Sequence, residues 1–416
     1  MIQTRIFFLI LPVLMLSACL SSPSPMGVPD SPFGYGRAGT IETPPQPVPV
    51  GAQTYPPMTT GAQEQVIDPF NQTPPQQQAQ TPQEVKVALL LPLTGQHQAV
   101  GQALLQSAQL ALFDMEAGHI TLLPKDTKGT ATGASIAAQQ AVDEGASLMI
   151  GPLFSQAVSG AGSVAQRNNI PLIGFSTDRN VAGFGRYIMG VLPEEQAARM
   201  ADFAATKGWR RVLIVTSGDV YGDMTAAAFR NRALSRGVSD IQTATVQDVQ
   251  AMTALPHQAV FMPLSGPALS AAVQVVRSKA PQAVLLGTGL WDDKSVQSNR
   301  MMNGAVYAAP PPRLRQNFES KYRQLYGDTP PRIASIAYDA TALAVVLSGR
   351  QIQNATTSST MFSGQAITNP SGYSGIDGIF RFRPDGTAQR GLAVLTIRGG
   401  RAVVSEAAPS SFSGRF

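Results

Sequence analysis

A chain of 416 residues with a formal charge of only +5, and with no cluster of Lys and Arg interleaved with aromatics, is not built to hold nucleic acid. Its one cysteine, Cys19, excludes disulfides, thiol catalysis and cysteine-based metal sites. The three histidines, His97, His119 and His257, stand 22 and 138 positions apart, which is not metal-ligand spacing.

Arg5 supplies a short positive region, Ile6 to Leu16 an apolar run, and Leu16-Ser17-Ala18-Cys19 closes it. That is the layout of a secretory signal, too short to span a bilayer as a mature helix. The tetrapeptide resembles a bacterial lipobox, which implies removal of residues 1–18 and lipid modification of Cys19. Losing Arg5 with the signal lowers the charge from +5 to +4. Leu20 follows, not the Asp linked to inner-membrane retention in enteric bacteria. The expected location is therefore the periplasm, with a lipid anchor in the outer membrane.

Residues 19–84 have the wrong composition for a core. Fourteen prolines fall between Pro23 and Pro82, Gln76-Gln77-Gln78 lies near the end, and Arg37 is the only basic residue. Such a segment buries too little apolar surface to offset its ordering entropy and is expected to be a disordered tether. As a coil it spans about 45 Å, and fully extended about 200 Å.

Residues 85–406 read as one folded unit, followed by a tail over 407–416. Val85 to Leu91 is a nearly continuous apolar strand, and Gly101 to Met115 a helix with Leu104, Ala108, Ala111 and Met115 on one face. Strand Ile120–Leu123, helix Ala131–Glu144, strand Leu148–Ile150, helix Gln156–Asn168 and strand Pro171–Gly174 follow. A second series runs through helix Glu194–Lys207, strand Val212–Val215, helix Asp223–Arg236 and strands Ile241–Thr245 and Ala259–Met262. It continues with helix Ala268–Lys279 and strands Ala283–Leu286 and Ala305–Ala308. Helices Leu314–Tyr326 and Ile333–Leu347 close it. The alternation predicts an α/β fold of doubly wound parallel sheets, and two successive series favour two lobes. Gly378–Phe382 and Leu392–Arg398 alternate with period two around Pro384-Asp385-Gly386-Thr387, a hairpin signal.

Val87-Ala88-Leu89-Leu90-Leu91-Pro92-Leu93-Thr94-Gly95, Gly151-Pro152-Leu153-Phe154-Ser155, Ile170 to Thr177 and Val215 to Gly222 resemble the first strand and cleft loops of leucine/isoleucine/valine-type periplasmic binding proteins. The resemblance covers 85–406. It implies two lobes exchanging chain near Val191, Ala309 and Gly375, so that lobe 1 takes about 85–191 and 310–374 and lobe 2 about 192–309 and 375–406. Within that superfamily, Ala88 to Gly95, Leu104 to Asp114 and Leu122 to Thr127 are most similar to penicillin-binding protein activators, lipoproteins that stimulate a peptidoglycan synthase.

In open α/β sheets, ligands sit beyond the carboxyl ends of the strands, where helix N-termini present unpaired N–H groups. The strand-end candidates are Thr94, Ser155, Gln156, Ser176, Thr177, Asp178, Tyr221, Leu264, Ser265, Trp291 and Asp292. The resemblance implies that Ser155, Ser176 and Thr177 hold a ligand carboxylate and that Tyr221 forms an aromatic wall; capping of the adjoining helices is the other role open to the hydroxyls. Amino-acid-binding members carry an acid in the second lobe that pairs with the ligand ammonium, and alignment puts Gly289 there. Asp292 is the carboxylate at hand to replace it, or a capping residue. Without an acid the buried ammonium is costly.

Enzymatic readings fail on residues. No Gly-x-Ser-x-Gly occurs. None of the seven lysines has a serine three positions before it. Gly160-Ala161-Gly162-Ser163-Val164-Ala165 matches a dinucleotide pattern, yet lies ten residues beyond Ile150 within a helical run. The expectation is a binding protein without catalytic residues, cofactor or metal. It either regulates a peptidoglycan synthase or delivers an amino acid or another small molecule to an ABC importer permease.

Overall fold

The computed structural model describes residues 84–353 and 361–412. Cys19, the signal sequence and the tether up to residue 83 lie outside the described residues, as do residues 413–416 of the tail.

The first lobe is a five-stranded parallel sheet of β1 (Val85–Leu91), β2 (Ile120–Asp126), β3 (Leu148–Ile150), β4 (Leu172–Gly174) and β5 (Arg186–Ile188), ordered β2-β1-β3-β4-β5. Only Lys86 of β1 escapes full burial, because the sheet is covered on both faces. Alternate side chains serve the two sides. Val87, Leu89 and Leu91 pack with Leu104 and Ala108 of α1 (Gln98–Asp114), while Ala88 and Leu90 pack with the alanines of α2 (Ala131–Asp143) and α3 (Ser155–Arg167). These small residues let helices approach closely: a Cβ on Gly160 would lie 2.3 Å from the Ala131 carbonyl oxygen. The Ala131 backbone beside Gly160 and the Arg186 side chain of β5 beside Gly162, not a dinucleotide, account for these glycines.

The second lobe contains α4 (Pro193–Thr206), β6 (Arg211–Thr216), α5 (Val220–Ser235), β7 (Asp240–Thr245), α6 (Val246–Ala251), β8 (Ala259–Phe261), α7 (Gly266–Lys279), β9 (Val284–Gly287), α8 (Lys294–Ser298) and β10 (Val306–Ala309). On one face of its sheet Phe203 and Phe229 meet Ile214 and Phe261; on the other Val249, Val273 and Val276 meet Leu213, Val260 and Leu285. The chain then returns to the first lobe as α9 (Pro312–Tyr326) and α10 (Ala334–Gln353), the latter packed along α1. After the short α11 (Gly364–Ile367) comes a small antiparallel sheet of β11 (Tyr373–Gly375), β12 (Gly378–Phe382) and β13 (Ala388–Arg390). Last, β14 (Ala393–Arg398) and β15 (Arg401–Glu406) extend the second sheet antiparallel, in the order β15-β14-β10-β9-β8-β6-β7.

Two expectations about the tail need correction. The hairpin closes between β12 and β13, with Phe382 opposite Ala388; Ala393–Arg398 belongs to another sheet. Phe380, Phe382 and Ala388 pack into the first lobe's core. The third crossover therefore lies between Arg390 and Ala393 and not near Gly375. The other two fall between β5 and α4 and between β10 and α9.

Candidate functional site

The order of each sheet reverses at one point, between β1 and β3 in the first lobe and between β6 and β8 in the second. Of the strands at those reversals only β6 sends a residue, Tyr221, to the cleft between the lobes. Segments leaving the carboxyl ends of β4, β5, β9 and β10 otherwise border that cleft. A cavity of about 300 Å³ lies in it, with mostly apolar walls that include Val191, Leu290, Ile333 and Ile336. Thr177, Gln196, Tyr221, Asp292 and Arg332 supply polar groups.

Of the residues singled out from sequence, Thr177, Tyr221 and Asp292 reach this cavity. Tyr221 opens α5, whose N-cap Asp219 accepts from the Gly222 N–H at 2.7 Å, and its hydroxyl lies 3.0 Å from Thr288 Oγ1. Burial raises the pKa of its phenol, so it is a neutral hydrogen-bonding wall. The remaining candidates hold their own loops together. Thr94 donates to Asp126 at 2.6 Å, and Gln156 to the Gly129 carbonyl. The Ser176 hydroxyl accepts from the Asp178 N–H, and Asp178 in turn caps the turn Arg179–Val181. Ser155 is the first residue of α3 and Ser265 the N-cap of α7; neither lines the cavity.

Trp291 is a core residue, not a ligand contact. It is fully buried, its indole N–H donates to the Leu264 carbonyl at 3.1 Å, and the ring covers Gly287 so closely that a Cβ there would lie 2.3 Å away. Seating the indole fixes the turn Gly289–Trp291 and presents Asp292 across the lobe boundary.

Asp292 already has partners on both sides. Tyr307 and Gln297, from its own lobe, donate to Oδ1 at 3.1 and 3.4 Å. From the first lobe, Arg315 Nη1 reaches Oδ2 at 2.5 Å and Arg332 Nε lies 3.6 Å away. Only 7% of the Asp292 side chain is exposed. Burial and then the Asp292 charge raise the pKa of the Tyr307 phenol, which therefore remains a donor. The position aligned with the family acid is also filled: Gln196 Oε1 accepts from the Gly289 N–H and would sit 2.9 Å from a Cβ at Gly289.

Behind Arg332 runs a buried charge relay. Its Nη1 and Nη2 each lie 3.0 Å from an oxygen of Asp377, which is fully buried and also accepts from Ser335 at 2.7 Å. Burial opposes the Arg332 charge, but the carboxylates of Asp377 and Asp292 hold its pKa above the usual value. Asp339, equally buried, accepts from the Ile376 N–H and lies 3.8 Å from Arg390, whose guanidinium donates to the Met189 carbonyl beside the first crossover. One further acid lies at the cleft's edge. The oxygens of Glu194 are buried without a hydrogen-bond partner, and Arg179 is 3.9 Å away.

Sequence reasoning missed Gln196, Arg315 and Arg332. The available signal was positional: Pro310-Pro311-Pro312, at the return to the first lobe, and Pro330-Pro331, between α9 and α10, are each followed by an arginine near a helix start. Among the described residues no group of His, Cys, Asp or Glu could hold a metal ion.

A family model described as periplasmic binding protein matches residues 84–402. The penicillin-binding protein activator LpoA of Haemophilus ducreyi is 26% identical over 147 residues, 35% of this chain and 24% of that protein, so the match spans about a quarter of the relative's length. Two solved structures share the fold. One, from Rhodospirillum rubrum and described as a branched-chain amino acid ABC transporter, is 20% identical with a TM-score of 0.70, covering 77% of this chain and 99% of that one. The other is the C-domain of LpoA from Haemophilus influenzae, described as a regulator of PBP1A. It is 18% identical with a TM-score of 0.62, covering 77% of this chain and 99% of that one.

Proposed function

Because the chain belongs to the periplasmic binding protein family, we propose that it uses this fold as a regulator of a peptidoglycan synthase, not as a carrier of free amino acids. The observation that supports the reading is the occupied state of Asp292. The one acid available to replace the missing family carboxylate is bound by Arg315 and Arg332, and Gln196 fills the space beside Gly289. An amino acid in this cavity would have to bury its ammonium with no free acid among the lining residues, since Asp292 is engaged and Glu194 does not line the cavity. The partial likeness to the LpoA activator points the same way. On this reading the protein is not an enzyme and needs no cofactor. Cys19 anchors it by lipid on the periplasmic side, in the outer membrane, and the Pro-rich segment gives it reach towards the synthase.

The competing reading is delivery of a solute to an importer permease, which the 300 Å³ cavity with its Tyr221 hydroxyl keeps open. Two measurements separate them. Photocrosslinking in cells should capture a penicillin-binding protein, and the purified full chain should accelerate glycan polymerisation or crosslinking by that synthase. Capture of an importer permease with no effect on synthesis would reverse the ranking. For the anchor, Cys19→Ala should release the protein from membranes; a variant that still sediments with them after a high-salt wash contradicts lipidation.

A further inference from the structure

We infer that the groove between α4, α5 and the β12–β13 ribbon docks an acidic segment of a protein partner. The inference rests on the proposed role as an interaction protein, and it names the surface and the chemistry of the partner. The groove has a volume of about 550 Å³ and lies apart from the interlobe cleft. Arg199 on α4, Arg232 and Arg236 on α5, Arg383 at the ribbon turn and the buried Arg390 of β13 bring five guanidiniums to its walls, against two carboxylates, Glu195 and Asp202.

The native pairs leave this surplus uncovered. Asp202 takes Arg232 as a fork, Nε to Oδ1 at 2.7 Å and Nη2 to Oδ2 at 2.9 Å, and its Oδ1 also receives the Nε of Arg236 at 2.8 Å. Glu406, at the edge, serves Arg199 at 2.9 Å and Lys207 at 3.7 Å. Arg383 alone has a carboxylate of the groove to itself, Glu195 at 2.7 Å. Among the described residues the Nη groups of Arg236, whose side chain is 41% exposed, have no hydrogen-bond partner. Each guanidinium is a planar fork that matches a carboxylate in bidentate geometry. The native pairs also hold these side chains in place, so a ligand need not order them.

The same observations choose the occupant. A flat anionic membrane or a dense polyphosphate would press charge onto Glu195 and Asp202, which lie within the groove. A peptide with separated Asp or Glu residues can pass between them. Ala407 and Pro409 add apolar surface for a neighbouring aliphatic or aromatic side chain.

The test uses the full chain and a fluorescently labelled random copolymer of glutamate and tyrosine as probe. Binding should occur and should weaken as salt rises. Two variants report on the groove. Arg236→Ala combined with Arg383→Ala removes two forks. Gln389→Glu adds one negative charge while keeping the oxygen that accepts from Arg381 at 2.9 Å, so it tests the surface without disturbing the fold. Each should weaken binding roughly tenfold. Equal binding by wild type and both variants overturns the inference. So does stronger binding to polyphosphate than to the copolymer. The two proposals fail separately. Loss of copolymer binding in the variants supports the groove even if no synthase responds, and unaltered binding sinks the groove even if synthase stimulation persists.

Discussion

Asp292 Oδ2 and Arg315 Nη1 meet at 2.5 Å from opposite lobes, with side chains 7% and 14% exposed. Because the aspartate is also fixed by Tyr307 in its own lobe, the pair ties the second lobe's cleft loop to α9 of the first. Removing Asp292 leaves the buried Arg315 with only Glu319, 3.5 Å from its Nε, as a carboxylate partner among the described residues. A weakened buried pair is costly. Asp292→Ala should therefore cost roughly 3 kcal/mol in chemical denaturation, and X-ray scattering should register a more open molecule. A cost below about 1 kcal/mol would class it with surface pairs and remove the latch from the account.

Trp291→Ala should cost roughly 3–5 kcal/mol, the range for deleting a large buried aromatic. Its indole packs on Gly287 and donates to Leu264. Thermal or denaturant unfolding checks this. A variant of near wild-type stability would show that the side chain is not part of the core and return it to the list of cleft contacts.

The strands and long helices were legible because their pattern is physical. β1 is apolar on both faces since both faces are covered, and α1 shows its buried stripe at Leu104, Ala108 and Ala111. Three-residue β5 and β13 are too short to show a period. The tail misled for another reason. Period two marks a strand but not its partner, and Phe380 and Phe382 turn to one lobe while β14 joins the other. At the site, Tyr221 and Thr177 followed from strand ends. The state of Asp292 did not, because Arg315 lies 23 positions further on and meets it only through the lobe crossover.

A pH effect follows from Asp339. Burial, and then the charge of Asp377, push its carboxyl up to about 7, whereas an unfolded aspartate titrates near 3.9. Between those values the folded chain keeps a proton that the unfolded chain has released. This group's contribution is fully present below about pH 4 and is lost as pH rises through about 7. Asp339→Asn abolishes the titration while keeping an oxygen for the Ile376 N–H. Asp377 is buried too, yet Arg332 and Arg390 lower its pKa; its opposite trend, stability lost as pH falls, remains in both proteins. The melting temperature of wild type minus variant should fall between about pH 5 and 7.5. A flat difference would show that Asp339 does not titrate in that window.

Calorimetric titration of the full chain with leucine, isoleucine and valine, after unfolding and refolding to strip any carried-over ligand, tests the central claim most directly. With Asp292 bound by two arginines and Gln196 beside Gly289, no binding is expected below roughly millimolar concentration, since an unpaired ammonium forfeits several kcal/mol. A micromolar dissociation constant for any of the three would contradict the account. It would make solute delivery the primary function, with Glu194, whose buried oxygens lack a hydrogen-bond partner, as the acid that receives the ligand.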